Sequence, residues 1–379
     1  MRIGIDVSWA QGPPSGTATY ITGLVEALTR VGPGHDYVLF TRSMRGRGAA
    51  GRHESALAGL EAPNVRHVAV DAPLTNLRQQ VTLPLALRRQ RLDLYHSPAF
   101  FLPLAWRGPA VVSMFDVNFL RLRETWTPGR RVMYLSLALQ APLAARQAGR
   151  IITLSQASAR DIACLLGVPL DKVAVVPAAP RDVFRRAPDP CAVEEMQQRY
   201  GRFFLSVGVL AAQKNLERML RAFAQVRDGT TRLVLVGRPA GAYADAILRP
   251  LTRELDVEGR VVFADAPDDE TLRALYHAAV ALVYPSLGEG FGLPIVEAMA
   301  CGCPVITSNV SSMPEVAGDA ALLVDPRAVT ALAGTLERLL AEPALRADLA
   351  ARGRARATLF TWDEAARQTL RCYDEAMRA

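Results

Sequence analysis

The chemistry is most legible in one stretch, Tyr284-Pro-Ser-Leu-Gly-Glu-Gly-Phe-Gly-Leu-Pro-Ile-Val-Glu297 and onward to Thr307. An apolar run ends at Tyr284 and a glycine-rich segment follows. Pro294 then stands where a first helical turn tolerates it. Gly288, Gly290 and Gly292 let the backbone approach a ligand closely. The helix behind them presents unpaired N–H groups and a positive dipole end, a setting for phosphate or for sugar hydroxyls. Glu289 stands on the loop, and Glu297 lies one turn into the helix, about 5 Å further along its axis. Two carboxylates beside an anion site repel a phosphate unless each has another task. Carboxylates accept hydrogen bonds from paired hydroxyls, so one on a sugar and one on a ribose is a coherent division. The plain alternative is a glycine turn followed by a solvated or helix-capping Glu297.

Other chemistry-bearing residues are sparse. Lys172 and Lys214 are the only lysines. Lys214 stands a few residues after an apolar run, and a solvated surface lysine is its plain alternative. His96 ends another such run, a position that more often serves structure than catalysis. Cys301-Gly-Cys303 has no partner pair nearby, and a structural zinc site needs four ligands, so tight packing of small residues explains it better. No Asp-x-Asp triplet occurs that could clamp a metal diphosphate.

These residues are carried by a regular alternation. Strand candidates in the first half are Ile3–Val7, Tyr37–Phe40, Val65–Val70, Leu92–His96, Ala110–Met114, Arg150–Leu154 and Val173–Val176. In the second half they are Phe203–Val207, Arg232–Val236, Val261–Phe263, Ala281–Tyr284, Val305–Thr307 and Ala321–Val324. Helix patterns fall between them: Thr17–Arg30, Arg130–Gln147, Ser155–Leu166, Leu216–Arg227, Ala242–Leu255, Asp268–Ala278 and Leu293–Ala300. Such alternation implies mostly parallel sheets covered on both faces. The proline-rich stretch Pro177–Pro190 breaks the rhythm. The expected fold class is α/β, with two doubly wound domains at 1–185 and 186–360. The tail from Val329 is expected to be helical throughout, ending in a helix that opens at Trp362 behind Thr361 as cap.

Length and composition agree. At 379 residues and 41.1 kDa, with half of its residues apolar, the chain suits two or three packed domains. Five scattered cysteines make no disulfide framework, and no window approaches about 18 uninterrupted apolar residues. The opening MRIGIDVSWA reads as a strand rather than a leader, so a cytoplasmic setting is expected. Charge is uneven: residues 1–185 carry 22 Lys/Arg against 12 Asp/Glu, while 186–379 carry 22 against 25. No nucleic-acid-binding signature accompanies the basic half, which leaves an anionic membrane surface, a phosphorylated substrate or a solvated arginine-rich face. The runs Ala99–Trp106 and Met133–Ala145 read as core. Beside Arg121, Arg123, Arg130 and Arg131 they read alternatively as a surface resting on a bilayer. The arginine-rich Arg42–Arg52 is expected to be a mobile loop.

The run from Tyr284 to Thr307, with its glutamate, seven residues and glutamate around Gly-Phe-Gly-Leu-Pro, resembles the signature of the retaining GT-B glycosyltransferases of the large family 4 group. The likeness continues through Ser308-Asn-Val-Ser-Ser-Met-Pro-Glu-Val-Ala-Gly-Asp319. Ser206-Val-Gly-Val-Leu-Ala-Ala-Gln-Lys-Asn-Leu216 is similar to the family's first loop of the second domain, and Gly12-Pro-Pro-Ser-Gly-Thr-Ala-Thr-Tyr20 to its N-terminal glycine loop. The resemblance implies two Rossmann-like domains facing a cleft, the first binding the acceptor and the second the nucleotide sugar. The helix 361–379 would cross back to the first domain. It implies Glu289 and Lys214 as catalytic residues. Donor contacts would come from Gly16, Asp116, Val209, Gly290, Phe291, Gly292, Leu293 and Glu297, with His96 as an acceptor or sugar contact. No metal and no cofactor are expected beyond a donor such as GDP-mannose or a UDP-sugar.

The acceptor implied is a saccharide or a lipid-linked one, used in making cell-surface polysaccharide. The enzyme would be cytoplasmic, or peripheral on the inner face of the membrane. The Gln-Lys-Asn-Leu and Ser-Met-Pro-Glu-Val variants look closest to mannosyltransferases. Two departures stand out. Val209–Gln213 lacks the extra basic residue usual in the family, and Phe115 stands before Asp116 where relatives commonly have histidine. The alternatives are a phosphorylase or epimerase on the same fold, or a silent nucleotide-sugar-binding module.

Overall fold

All thirteen apolar runs form strands, with ends close to those expected from the sequence. The computed structural model describes residues 1–12, 15–42, 56–70, 80–122, 125 and 131–378. Of the loop read as mobile only Arg42 is among these, and Arg123 and Arg130 also lie outside the described residues. The chain divides into two compact units, Met1–Ala179 with Thr361–Ala379, and Pro180–Phe360.

The first unit holds β1 (Arg2–Asp6), α1 (Gly16–Val31), β2 (Asp36–Arg42), β3 (Val65–Val70), α2 (Thr82–Arg89), β4 (Leu94–Ser97), β5 (Ala110–Ser113), α3 (Asn118–Arg121), α4 (Arg131–Gln147), β6 (Arg150–Thr153), α5 (Gln156–Leu166) and β7 (Val173–Val175). Its seven strands are all parallel, in the order β3-β2-β1-β4-β5-β6-β7. β1, β4 and β5 are almost wholly buried, which is why they read as continuous apolar runs rather than alternating ones. Side chains of α2, α4 and α5 join Val38, Tyr95 and Val112 in one core.

The second unit holds α6 (Pro190–Tyr200), β8 (Phe203–Val207), α7 (Leu216–Ala224), β9 (Arg232–Val236), α8 (Arg249–Glu254), β10 (Val261–Ala264), α9 (Asp269–Ala278), β11 (Ala281–Tyr284), α10 (Leu293–Ala300), β12 (Val305–Ser308), α11 (Met313–Ala317), β13 (Leu322–Val324), α12 (Val329–Ala341) and α13 (Pro343–Ala357). Its six parallel strands run β10-β9-β8-β11-β12-β13. Chain order reverses between β8 and β11, as it does between β1 and β4 in the first unit. In such sheets a ligand crevice forms beyond the strand ends at the reversal.

The last helix, α14 (Trp362–Ala376), belongs to the first unit. Thr361 caps it by accepting from Glu364 N, the Ser/Thr-x-x-Glu spacing of a capping box. It packs on α1 at Gly23, where a Cβ would stand 2.3 Å from Trp362 Cε2. The tail is not helical throughout: it breaks at Glu342, before Pro343, and again between Ala357 and Trp362.

The unit boundary also falls earlier than expected, at 179/180 rather than 185/186. Phe184 is fully buried against Tyr276, with ring centroids 5.7 Å apart, and the Arg185 guanidinium donates to Ala357 O at 3.1 Å. Those contacts tie 180–185 to the second unit. The proline break is shorter as well, because Pro190 opens α6 with Asp189 as its cap.

Candidate active site

Lys214 and Glu289 meet at the reversal point of the second sheet. Lys214 lies on the loop after β8 and Glu289 on the loop after β11. Lys214 Nζ donates to Glu289 Oε1 and to Tyr284 Oη, both at 2.6 Å, and stands 4.7 Å from the Tyr284 ring centroid. Burial works against the lysine's charge, but Glu289 and Tyr284 together outweigh it and hold its pKa above the ordinary lysine value. Burial, with Glu289 adding to it, pushes the Tyr284 phenol up. An ammonium has three donors, and this one uses two on the protein.

The loops around the pair are laced together. Gln213 Nε2 donates to Gly288 O at 2.6 Å, and Leu287 N returns a bond to Gln213 O at 2.9 Å. Asn215, in the left-handed region at φ 59°, donates to Pro285 O and Pro326 O. Ser311 and Ser312, after β12, both donate to Glu289 O, and Ser312 also to Phe291 O. Gly292 caps α10 with φ 101° and supplies no side-chain acceptor; Pro294 has no N–H and Ile295 N donates to Gly292 O at 2.9 Å, so the end of the helix turned to the loop offers its dipole rather than a row of free amides. Gly237, at φ 151°, allows β9 to pass the β8 loop, since a Cβ there would sit 1.8 Å from Gly208 O.

Gly290, Gly292, Val209 and Leu293 belong to this set of loops, and Val209 is 45% exposed. The Phe291 ring is buried against Phe360 with centroids 5.5 Å apart, which leaves its backbone for a ligand. Glu297 is buried too. Its Oε2 accepts from Tyr276 Oη at 3.2 Å, and Oε1 lies 3.7 Å from Arg181 Nη2. Burial raises its pKa, and Arg181 and Tyr276 work against that rise. Any ligand hydroxyl reaching this carboxylate would share it with two protein partners.

The other three candidates belong to the first unit. Gly16 is the exposed first residue of α1, behind Ser15, whose Oγ accepts from Ala18 N. Asp116 is half-buried and accepts from Asn118 N at 2.8 Å. His96 corrects the expectation of a sugar or acceptor contact. It is fully buried, its Nδ1 2.7 Å from Tyr373 Oη and its Nε2 2.9 Å from Ser113 Oγ, which is 3.1 Å from Tyr20 Oη. Burial holds its pKa down at about 3, so the ring is neutral and has no free edge. Phe115 packs edge-on to Tyr20 at 4.8 Å, joining this sealed cluster.

Reading the sequence alone missed Tyr284, Gln213 and the serines as partners, because each acts through a residue distant along the chain. It also missed Arg181, hidden in what looked like a linker. The strand-end tyrosine and the Gln-Lys-Asn triplet were the only local signals.

A family model for glycosyl transferases group 1 matches residues 197–356, and one for glycosyltransferase family 4 matches residues 14–179. The chain is 34% identical over 292 residues to O-antigen chain mannosyltransferase B of Escherichia coli, an alignment covering 76% of each protein. It is 34% identical over 244 residues to MMP alpha-(1->4)-mannosyltransferase of Mycolicibacterium hassiacum, covering 62% of this chain and 56% of that one. Among solved structures, sucrose-phosphate synthase from Thermosynechococcus elongatus matches with a TM-score of 0.79 at 23% identity over 98% of both chains. WaaG, a glycosyltransferase involved in lipopolysaccharide biosynthesis, matches with a TM-score of 0.74 at 17% identity, covering 97% of this chain and 98% of WaaG. Anabaena HepE, solved with UDP and glucose, matches with a TM-score of 0.74 at 19% identity over 98% of both. The architecture common to them is the GT-B fold.

Proposed function

The chain belongs to the group 1, family 4 glycosyl transferases, and from that premise we propose that it moves mannose from a nucleotide diphosphate sugar to a hydroxyl of a saccharide or lipid-linked acceptor. The observation that carries the reading is the Lys214–Glu289 pair, held over a glycine loop and a helix N-terminus at the reversal of the second sheet. Two mannosyltransferases at 34% identity favour mannose over other hexoses. Growth of a cell-surface polysaccharide is the role suggested by the O-antigen enzyme.

In the proposed reaction the bond between the anomeric carbon and the diphosphate oxygen breaks, and its electron pair leaves with the phosphate. The acceptor oxygen bonds to the same face of the sugar, which retains configuration, and its proton passes to the departing phosphate. Lys214 and the positive end of the α10 dipole stabilise the charge that grows on that phosphate. Glu289, whose position the two serines fix, accepts from hydroxyls of the transferred sugar. Glu297 accepts from the ribose. The second unit is thus the donor half and the first the acceptor half. The lysine and helix dipole take the part a divalent ion plays elsewhere, so no metal is needed.

A thermal-shift panel of GDP, UDP, GDP-mannose and UDP-sugars tests this. A ligand at about a hundred times its dissociation constant adds roughly 2.7 kcal/mol, which a melt resolves. Stabilisation by GDP and GDP-mannose, followed by mannosyl transfer to a mannose-terminated acceptor, is the expected result. No shift with any nucleotide would remove the reading.

No helix among the described residues is long and apolar enough to cross a membrane. Association with an anionic inner-membrane surface, where a lipid-linked acceptor would lie, is proposed as peripheral.

A further inference from the structure

Helix α4 is apolar on two opposite faces. Its inner face, Leu137, Ala138, Ala141, Ala144 and Ala145, packs into the core of the first unit. On the other side Val132, Leu135, Leu139 and Leu143 stand 81%, 56%, 73% and 46% exposed. Their spacing of three, four and four residues keeps them within roughly 80° of arc and along about 16 Å of helix. A helix apolar all round is normally enclosed; among the described residues this one is enclosed on one side only. Exposed large hydrophobics in the second unit, such as Ile247 and Leu323, fall singly on separate elements. Single ones are ordinary, whereas a continuous stripe marks a contact surface.

The stripe also has a charge pattern. Arg131 opens α4, Arg146 closes the exposed line, and the helix contains no acid. The neighbouring α2, which shares the same core, ends in Arg88 and Arg89, again with no acid, and exposes Leu85. Pairing two copies of this chain through α4 would set arginine-ended, acid-free helices against each other. An anionic bilayer satisfies both features: aliphatic side chains enter the headgroup boundary while the arginines meet lipid phosphates.

We propose that the outer face of α4 is a docking surface for an anionic lipid bilayer, with Val132, Leu135, Leu139 and Leu143 inserted and Arg131 and Arg146 on the headgroups. This deepens the reading of a peripheral glycosyltransferase, on which it rests, and locates the contact on one helix of the acceptor half.

The test is co-sedimentation of the full chain with vesicles of phosphatidylcholine alone or mixed with phosphatidylglycerol, at low and high salt. The parent pellets with the mixed vesicles at low salt and is released by high salt, within the reach of screening. Leu135→Gln with Leu139→Gln lowers the partition coefficient about tenfold or more. Arg131→Gln with Arg146→Gln lowers it about tenfold at low salt, and less at high salt. Leu323→Gln, on the other unit, leaves it unchanged. Leu139→Trp keeps apolar area and favours the headgroup region, so it binds at least as well as the parent, and it guards against a mere folding defect in the glutamine variants. Equal behaviour with both vesicle types, leucine variants that pellet like the parent, or a parental dimer dissolved by those variants while vesicle binding persists would each overturn the proposal. The GDP- and UDP-induced thermal shift is read in parallel on every variant. It reports the donor site alone, so loss of lipid binding and failure of the glycosyltransferase reading are separate results.

Discussion

The two sheets reverse their chain order in the same way, yet the strand ends at the two reversals are finished in opposite styles. In the second unit, β8 and β11 lead to loops that hold an ammonium and a carboxylate 2.6 Å apart and part-exposed, with glycines around them. In the first, the penultimate residue of β4, His96, lies inside a closed chain of neutral hydrogen bonds from Tyr373 through Ser113 to Tyr20. A polar group that keeps its charge and some access to solvent can be re-partnered by a ligand. One whose hydrogen bonds are all made internally serves to fix elements, here α14 and α1, onto the sheet. The same architecture therefore yields one strand end open to re-partnering and one that is closed, and the side chains at a few strand ends decide which.

The sharpest way to break this contrast is to remove the cation. Lys214→Ala should lower kcat/KM by about 10²–10³-fold, roughly 3–4 kcal/mol, and weaken nucleoside diphosphate binding as well, because it acts in both ground and transition states. Glu289→Gln keeps shape but not charge. It should lower kcat about ten- to a hundredfold with KM little changed, the loss of one charge-assisted hydrogen bond made strongest in the transition state. Initial rates and nucleotide titrations on variants with parental melting curves check both.

At the closed strand end the readout is stability. His96→Gln leaves at least one hydroxyl without the partner the imidazole now supplies, at about 1–3 kcal/mol, and should leave nucleotide affinity untouched. The pH profile sharpens the point. The folded pKa of about 3 lies below the usual value near 6.5, so the unfolded chain takes up the proton first. The stability from this group is complete above about pH 6.5 and is lost as pH falls, by about 2 kcal/mol at pH 5. Denaturant melts at pH 7.5 and 5 should show that loss in the parent and a smaller one in His96→Gln. The smallest expected effect is none: a chelator should leave turnover unchanged, and recovery by magnesium or manganese after a loss would refute metal-independent transfer.

Burial also explains what was and was not legible beforehand. Glu289 and Lys214 could be singled out because each sits beside a local signal, a glycine loop or a strand end. Their pairing could not, since 75 residues separate them and the order of strands in the sheet brings them together. Glu297 was legible, but not Arg181 or Tyr276 beside it, and that company changes what the carboxylate can do. Met133–Ala145 read as core or as a lipid-facing surface; α4 is core on one face and exposed on the other, a division that composition alone cannot express. Helices α2, α3, α6 and α11 went unread; α3 and α11 are of four and five residues, and Pro190 opens α6 inside the proline-rich stretch that looked like a break.

Thirteen strands, their parallel pairing and the glycine loop behind β11 follow from the sequence itself, because burial on both faces and helix entry are written in the types of neighbouring residues. Which strand ends face solvent, which histidine is sealed and which carboxylate meets which cation are decided only in three dimensions. Those outcomes depend on side chains far apart in the chain, where local periodicity carries no information and the packing of the sheet sets the distances.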